Sequence, residues 1–296
     1  MAKIFMRFLV AESEPAEARD KRRDSVGRSS GETYLDVLRE LAPRAMCDRV
    51  KPADEGEPPL GPAEIEQYDA VFLTGSPLHL YTDTPEVRRE LAFMRAVFAS
   101  GTPSFGSCAG LQVATVAAGG SVRPMGARRE AGFARGITAS EAGRDHPLLR
   151  GRPAAYDAPA IHTDEVEALP PGGTLLAGNA VTRVQAAEIR FDRGVFWGVQ
   201  YHPELSLGEI AAALRRQADD LIEHGLAANE EDVAAVADLV DALEREPERL
   251  DLAWRLGIDR QVTDVGQRRT ELRNFIEHLV LSVRRERGRG EAIGPA

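Results

Sequence analysis

Short apolar runs alternate with helix-forming segments over residues 1–205. The runs are bounded by turn residues and read KIFMRFLVA, DAVFLTG, PSFGS, GITAS, TLLAGN, RVQAAEIR and GVFWGVQ. Strands that alternate with helices are typical of a mainly parallel sheet with helices on both faces. The pattern therefore predicts an α/β fold with a doubly wound sheet.

The apolar pattern changes its period after residue 205. In LGEIAAALRRQADDLIEHGL the leucines and isoleucines recur on one helical face, and Asn229 is placed to cap a second helix. Residues 272–283 carry the clearest amphipathic helix of the chain. We therefore expect two parts, a domain at 1–205 and an all-helical extension at 206–296.

Composition narrows the class of protein. The 296 residues are 43% hydrophobic and 28% charged, which is ordinary for a globular protein. No apolar stretch approaches the roughly 18 residues of a membrane span, and the N-terminus lacks a signal-peptide pattern. A net charge of −10 argues against a nucleic-acid binder. We expect a cytoplasmic protein that binds neither membranes nor nucleic acid.

The segment EARDKRRDSVGRSSGETY, residues 17–34, mixes both signs of charge with serine and glycine. Such composition is typical of a solvated loop. We expect a loop here.

One of the two cysteines, Cys108, lies at a predicted strand-to-helix turn. In FGSCAGLQVA it stands between Gly106 and Gly110, the thiol version of the G-x-S-x-G nucleophile elbow. A helix N-terminus offers free N–H groups and a positive dipole end, which favour a thiolate. A buried structural cysteine is the other interpretation of this pentapeptide. A disulfide is disfavoured, because two cysteines make no disulfide framework.

A general base for this cysteine is found in HPE, just after GVFWGVQ. Residues i and i+2 of extended backbone point to the same side, so Glu204 reaches the imidazole of His202 and orients it. Cys108, His202 and Glu204 then supply the nucleophile, base and orienting carboxylate of triad chemistry. The alternative is a metal site formed by His162, Asp164, His202 and Glu204. That alternative leaves the cysteine elbow unexplained, so we expect neither metal nor cofactor.

The motifs FLTGSP, FGSCAGLQVATVAAGG and WGVQYHPE, in this order, resemble the class I, triad-type glutamine amidotransferases. Within that family the resemblance is to the glutaminase domain of GMP synthase and its stand-alone γ-glutamyl hydrolase relatives, and IHTDEVEALPPG adds to it. It covers roughly residues 1–205 and implies a flavodoxin-like catalytic domain. Cys108, His202 and Glu204 match the family's catalytic positions.

The resemblance also implies an oxyanion hole. The family's Gly-Gly-Pro loop appears here as Gly75-Ser76-Pro77. Backbone N–H groups of Ala109 and of the Gly75-Ser76 turn are therefore expected to hold the oxyanion, and a serine serves as well as a glycine if its backbone angles are attainable.

Three further residues are candidates for substrate binding. Gln112, four residues after the cysteine, matches a family position near the bound glutamine. Glu130 and Gly132 are candidates for the amino-acid pocket, because a glutamyl α-amino group needs a carboxylate and a close backbone. An exposed loop charge is the alternative for Glu130.

These residues predict a cysteine amidohydrolase that cleaves a small γ-glutamyl amide through a γ-glutamyl thioester. The chain has no phosphate-binding G-x-x-x-x-G-K-[ST] loop and no ATP-dependent synthetase segment. We favour a stand-alone hydrolase over a glutaminase subunit that delivers ammonia to a synthetase. A catalytically silent scaffold is the third hypothesis. The helical extension is the expected contact for a second copy or for a synthetase partner, and the sequence does not identify the leaving amine.

Overall fold

The computed structural model describes residues 5–126 and 128–289. The strands of this part are β1 (Arg7–Ala11), β2 (Met46–Val50), β3 (Ala70–Leu73), β4 (Ser104–Ser107), β5 (Ser121–Pro124), β6 (Glu130–Ala139), β7 (Ala155–His162), β8 (Asp164–Ala168), β9 (Gly173–Gly178), β10 (Ala186–Phe191) and β11 (Gly194–Val199). Within it, nine strands form one sheet in the order β2-β1-β3-β4-β11-β10-β9-β6-β7, and β5 pairs with β8.

Helices lie between these strands and make up the rest of the described chain after β11. They are α1 (Ala16–Val26), α2 (Ser30–Leu41), α3 (Pro62–Ile65), α4 (Pro85–Ser100), α5 (Ala109–Ala117), α6 (Leu207–Arg216), α7 (Ala218–Glu223), α8 (Glu230–Arg245), α9 (Leu250–Leu256), α10 (Arg260–Thr263), α11 (Val265–Arg268), α12 (Thr270–Asn274) and α13 (Leu281–Glu286), with a 3-10 turn at Pro147–Leu149 and a π-helical turn at Phe275–Val280. In residues 5–126 and 128–289, no helix is both long enough and apolar enough to cross a membrane.

The sheet is mixed and has a parallel half. Strands β2, β1, β3, β4 and β11 are parallel to one another. From β11 onward, β10, β9, β6 and β7 continue the sheet in antiparallel pairing. The change of direction follows from chain length: only Asp192 and Arg193 separate β10 from β11, and so short a connection makes a hairpin. The predicted α/β class with a doubly wound sheet is confirmed.

Alternate residues of the central strands supply two separate cores. Phe8 and Val10 of β1 pack in the core under α2, whereas Leu9 and Ala11 pack in the core under α4 and α5. Successive side chains of a strand point to opposite faces, so a strand covered on both sides is apolar throughout.

The helical stretch from Thr270 to Glu286 packs against the same face of the sheet as α2. The ring centroid of Phe275 lies 5.4 Å from that of Phe72 on β3 and 5.5 Å from that of Phe105 on β4. The apolar stripe predicted for this helix is thus covered by the main sheet of its own chain. The division of the chain into two domains at residue 205 stays a prediction.

The helices α6 to α9 form a third apolar cluster with residues of β6 and β7. Ile210 and Leu214 of α6 pack there with Val233 and Val240 of α8. The side chain of Asn229 accepts a hydrogen bond from the backbone N–H of Asp232 and caps α8, as predicted.

The prediction of a loop at residues 17–34 is wrong, because most of this segment forms α1 and α2. A capping box between Ser29 and Glu32 starts α2. Helix α1 is held to α6 by the buried ion pair of Arg22 with Glu209, whose atoms are 2.9 Å apart. Two of the charges that suggested solvent, those of Arg19 and Arg22, are instead buried and paired within the fold.

Candidate active site

A cleft of about 830 Å³ opens at the carboxyl ends of the parallel strands. Gly75 and Ser76 follow β3, Cys108 follows β4, and His202 and Glu204 follow β11; all five line the cleft. Open α/β sheets bind their ligands at this edge. The order of the strands therefore brings together residues that are far apart in the sequence.

Cys108 lies in a tight strand-to-helix turn. Its backbone is at φ 53° and ψ −111°, which L-residues rarely adopt, and its N–H donates to the Val199 carbonyl at 2.8 Å. The two flanking glycines permit this turn. A Cβ on Gly106 would lie 2.8 Å from the Gly110 carbonyl carbon, and one on Gly110 would lie 2.8 Å from the Leu73 carbonyl oxygen. The geometry is that of a nucleophile elbow.

His202 is held by the carboxylate that the sequence assigns to it. Its Nδ1 lies 2.7 Å from Glu204 Oε1. Burial lowers the pKa of His202, but the charges of Glu204 and Cys108 and a hydrogen bond to the cysteine outweigh it and raise the pKa to about 10. The imidazole is therefore protonated at neutral pH and is placed between the thiol and the carboxylate.

Two residues that the sequence analysis missed extend this chain of hydrogen bonds. Ser107 Oγ donates to Glu204 Oε1 at 2.9 Å, and Tyr34 of α2 has its hydroxyl 2.6 Å from Ser107 Oγ. Because the serine proton is used on Glu204, the tyrosine donates to the serine. Ser107 adjoins Cys108 in the sequence, whereas nothing in the sequence links Tyr34 to the site.

The residues predicted for the oxyanion hole lie around the cysteine. A Cβ on Gly75 would lie 2.9 Å from His202 Cε1, so only glycine lets this loop approach the imidazole. Ser76 Oγ donates to the Ser13 carbonyl at 2.8 Å and fixes the loop. Ala109 is the first residue of α5, where backbone N–H groups have no helical partner. Their role toward an oxyanion stays a prediction.

Gln112 faces the cleft one helical turn after the cysteine. Its Nε2 donates to the Asp164 carbonyl at 3.0 Å and to Gln200 Oε1 at 3.3 Å. These bonds hold the amide in place. Contact with a substrate stays a prediction.

Glu130 and Gly132 do not line the cleft that contains Cys108. Glu130 is buried, so it is not an exposed loop charge. Its carboxylate accepts hydrogen bonds from His162, Asn179, Thr182 and Gln185. Burial raises the pKa of Glu130, but the hydrogen bond and charge of His162 and the bonds from Asn179 and Gln185 outweigh burial and hold the pKa below its usual value. Gly132, at φ 89°, lies near Leu214 instead.

A second polar group borders the cleft beside Gln112. His79 Nδ1 lies 2.7 Å from Asp164 Oδ2, and the His79 and Tyr81 rings stack with centroids 5.4 Å apart. Burial and the charge of Asp164 raise the pKa of the Tyr81 hydroxyl. The pattern of apolar and polar residues does not indicate this cluster.

The four residues of the metal alternative do not converge. His162 bonds to Glu130, and His202 bonds to Glu204. Among residues 5–126 and 128–289, no group of three or more histidine, cysteine or acidic side chains is arranged to hold a metal ion.

Comparison with known proteins assigns the chain to a family. Residues 37–220 match the family model described as "Glutamine amidotransferase class-I". A gamma-glutamyl-L-1-hydroxyisopropylamide hydrolase from a Pseudomonas species is 34% identical over 281 residues, which cover 93% of this chain and 94% of that protein.

Two further comparisons give a relative that matches over part of its length and a solved structure with a similar fold. The GMP synthase of Thermomicrobium roseum is 33% identical over 147 residues, 49% of this chain but only 25% of the synthase. The crystal structure of a glutamine amidotransferase from Thermotoga maritima has a TM-score of 0.62 at 19% identity, covering 93% of this chain and 99% of the other. This last likeness concerns the fold alone.

Proposed function

The chain belongs to the class I glutamine amidotransferase family and is a cysteine amidohydrolase, and from this premise we propose that it hydrolyses the γ-glutamyl amide of a small amino alcohol. The products are glutamate and the free amine. The observation that carries the proposal is the match to a γ-glutamyl amide hydrolase along 93% of this chain, including the helices that follow residue 205.

The proposed reaction uses Cys108 and His202 in two steps. The cysteine sulfur attacks the γ-carbonyl carbon, and the imidazolium of His202 gives its proton to the departing nitrogen as the C–N bond breaks. This leaves a γ-glutamyl thioester. His202, now neutral, takes a proton from water, whose oxygen attacks the thioester and releases glutamate and the thiolate.

The remaining residues of the site support these steps. Glu204 orients the imidazole and stabilises its positive charge. Backbone N–H groups of Ala109 and of the Gly75-Ser76 turn are placed to hold the oxyanion, and one such donor is typically worth about 10²- to 10³-fold in rate.

A glutaminase subunit that delivers ammonia to a separate synthetase is the second candidate. The similarity to GMP synthase favours this second candidate, because the match covers only about a quarter of the synthase. On that account the helices after residue 205 would contact the synthetase, and the isolated chain would hydrolyse glutamine poorly.

The test is glutamate release by the purified chain from γ-glutamyl-1-hydroxyisopropylamide and from glutamine. We expect fast cleavage of the substituted amide, slow cleavage of glutamine, and no cleavage of either by a folded Cys108→Ala variant. Cleavage that requires an added synthetase would favour the subunit. Inactivity of the folded wild type on both substrates would overturn the proposal and favour a silent scaffold.

A further inference from the structure

Charged side chains line much of the cleft, and nearly all of them are neutralised within the fold. Each cleft histidine pairs with a carboxylate. Three of the four lysine and arginine side chains of the cleft are also paired: Lys21 with Glu17, Arg22 with Glu209 and Arg129 with Asp220. Within the described residues, the two cleft charges that have no ion pair are Glu14 and Arg216, and they are of opposite sign.

Glu14 is buried beside the loop that contacts His202. Its Oε2 accepts the Ser30 N–H at 3.0 Å, and Ser30 Oγ lies 3.1 Å from Thr74 Oγ1, the residue before Gly75. Burial raises the pKa of Glu14, and the nearby Arg22 offsets part of this effect. A carboxylate of this kind, held at one oxygen and bordering the cleft with no cation bound to it, is suited to accept a hydrogen bond from a ligand.

Arg216 is the last residue of α6 and is exposed to the cleft. Its guanidinium donates to Ser25 Oγ at 2.8 Å. Its neighbour Arg215 points the other way and pairs with Asp238 at 2.6 Å and with Asp241 at 2.8 Å. The chain thus offers two adjacent arginines on one helix, one neutralised and one with donors free for a ligand.

The wall that carries Glu14 and Arg216 is the one connected to the catalytic base. Helices α1 and α6 are joined by Arg22 and Glu209, and α2 reaches Glu204 through Tyr34 and Ser107. Gln112, on α5, instead bonds to the Asp164 carbonyl at the start of β8. We place the departing amine on the side of this first wall, because its hydrogen bonds lead to Glu204, which holds the group that protonates the departing nitrogen.

We propose that Glu14 and Arg216 select the leaving amine by hydrogen-bonding a hydroxyl group on it. The inference rests on the proposed function, since only a substituted γ-glutamyl amide presents such a group. A hydroxyl donates one hydrogen bond and accepts others, so it satisfies a carboxylate and a guanidinium at once. The charge of Glu14 already acts on Arg216, so the two groups are near each other. A leaving group with an aliphatic methyl at this position leaves their remaining donors and acceptors without a hydrogen bond, which is the arrangement that rejects deoxy analogues.

The experiment compares kcat/KM for γ-glutamyl-1-hydroxyisopropylamide with kcat/KM for γ-glutamylisopropylamide, which lacks the hydroxyl. We expect the wild type to prefer the hydroxylated amide by about 10- to 100-fold. Glu14→Gln and Arg216→Gln should each lose most of this preference. The matched controls should keep it: Glu17→Gln, on α1 just after Glu14, and Arg215→Gln, beside Arg216 on α6.

The outcomes separate this inference from the proposed function. A wild type that cleaves both amides equally, or variants that keep the wild-type preference, would overturn the inference and leave the hydrolase intact. An equal loss on both amides and on glutamine would also overturn it, because it would assign the pair to the glutamyl part. A wild type that cleaves neither amide would overturn the proposed function itself. Arg216 is exposed, so its variant carries the test if Glu14→Gln does not fold.

Discussion

Gly75 leaves no room for a side chain beside the catalytic base. We expect Gly75→Ala to lower kcat by about 10²-fold or more, because the added methyl would lie 2.9 Å from His202 Cε1 and displace the imidazole. The measurement is glutamate release together with thermal unfolding. Gly208→Ala on α6 is the control, since its methyl would meet no atom closer than 3.7 Å. Full activity of Gly75→Ala would show that the loop is not held against the imidazole.

The charge of Glu204 keeps His202 protonated. Glu204→Gln should lower the pKa of His202 from about 10, because burial then acts with less opposition. The raised pKa adds stability that is complete below the unfolded value near 6.5 and is lost as the pH rises through about 10. The variant should therefore lose more stability at pH 6 than at pH 10, and the alkaline limb of its kcat/KM profile should move to lower pH. An unmoved alkaline limb would contradict the role given to Glu204.

Local sequence motifs predicted the residues of the site that are close along the chain. Cys108 has its elbow glycines two residues away on either side, and Glu204 lies two residues from His202. Tyr34 reaches the same network from α2, 73 residues before Ser107. Glu130 shows the opposite error: a carboxylate in a suitable motif proved to be satisfied by four side chains of its own fold. Partners that are distant in sequence leave no local pattern.

At the scale of the element, α4 carries a buried acid. Burial raises the pKa of Glu90 to about 7, although a hydrogen bond from Ser13 opposes the shift. A raised carboxyl pKa adds stability below the unfolded value near 4.5, which is lost as the pH rises through 7. Glu90→Gln should thus stabilise the protein at pH 8 by about 1–3 kcal/mol and have little effect at pH 4.5. Urea unfolding at both pH values measures this, with Glu86→Gln of the same helix as control. Equal shifts at the two pH values would exclude titration of Glu90 as the cause.

Element prediction succeeded where apolar periodicity was strong and failed where charge misled it. The runs DAVFLTG and GVFWGVQ became β3 and β11, and the capped helix after Asn229 became α8. Residues 17–34 were expected to be a loop because of their charges, yet Arg22 is buried against Glu209. Composition cannot distinguish a charge that faces water from one whose partner lies 187 residues away.

At the scale of the whole molecule, a buried ion pair joins the loop before β7 to the last helical stretch. Arg152 and Glu271 are joined by two bonds of 2.6 and 2.7 Å, and both side chains are buried. Arg152→Met should cost about 3–5 kcal/mol in unfolding free energy, because it leaves the Glu271 charge unpaired. The double variant Arg152→Met, Glu271→Met should recover most of that loss. Chemical denaturation measures both, with the exposed Arg150→Met as control. A double variant no more stable than the single one would show that the pair does more than neutralise charge.

The order of the strands was the part of the architecture least open to prediction. Alternating strands and helices predicted the parallel half, but the place of β11 beside β4, which brings His202 to Cys108, depends on long-range pairing. The amphipathic pattern of residues 272–283 predicted a helix and an apolar face. It gave no sign that Phe275 would reach the rings of Phe72 and Phe105. The cytoplasmic location also stays a prediction.

That contact of Phe275 with the central strands has a consequence for biosynthesis. Polypeptides emerge from the ribosome N-terminus first, and early segments fold as they appear. Here Phe275 is made 203 residues after Phe72 of β3 and 170 residues after Phe105 of β4 (275 − 72 and 275 − 105). A nascent chain that already holds Cys108, His202 and Glu204 therefore still exposes the part of this apolar face that α2 does not cover. We therefore expect the nucleophile to be synthesised long before it becomes active, and chaperones to meet this face first.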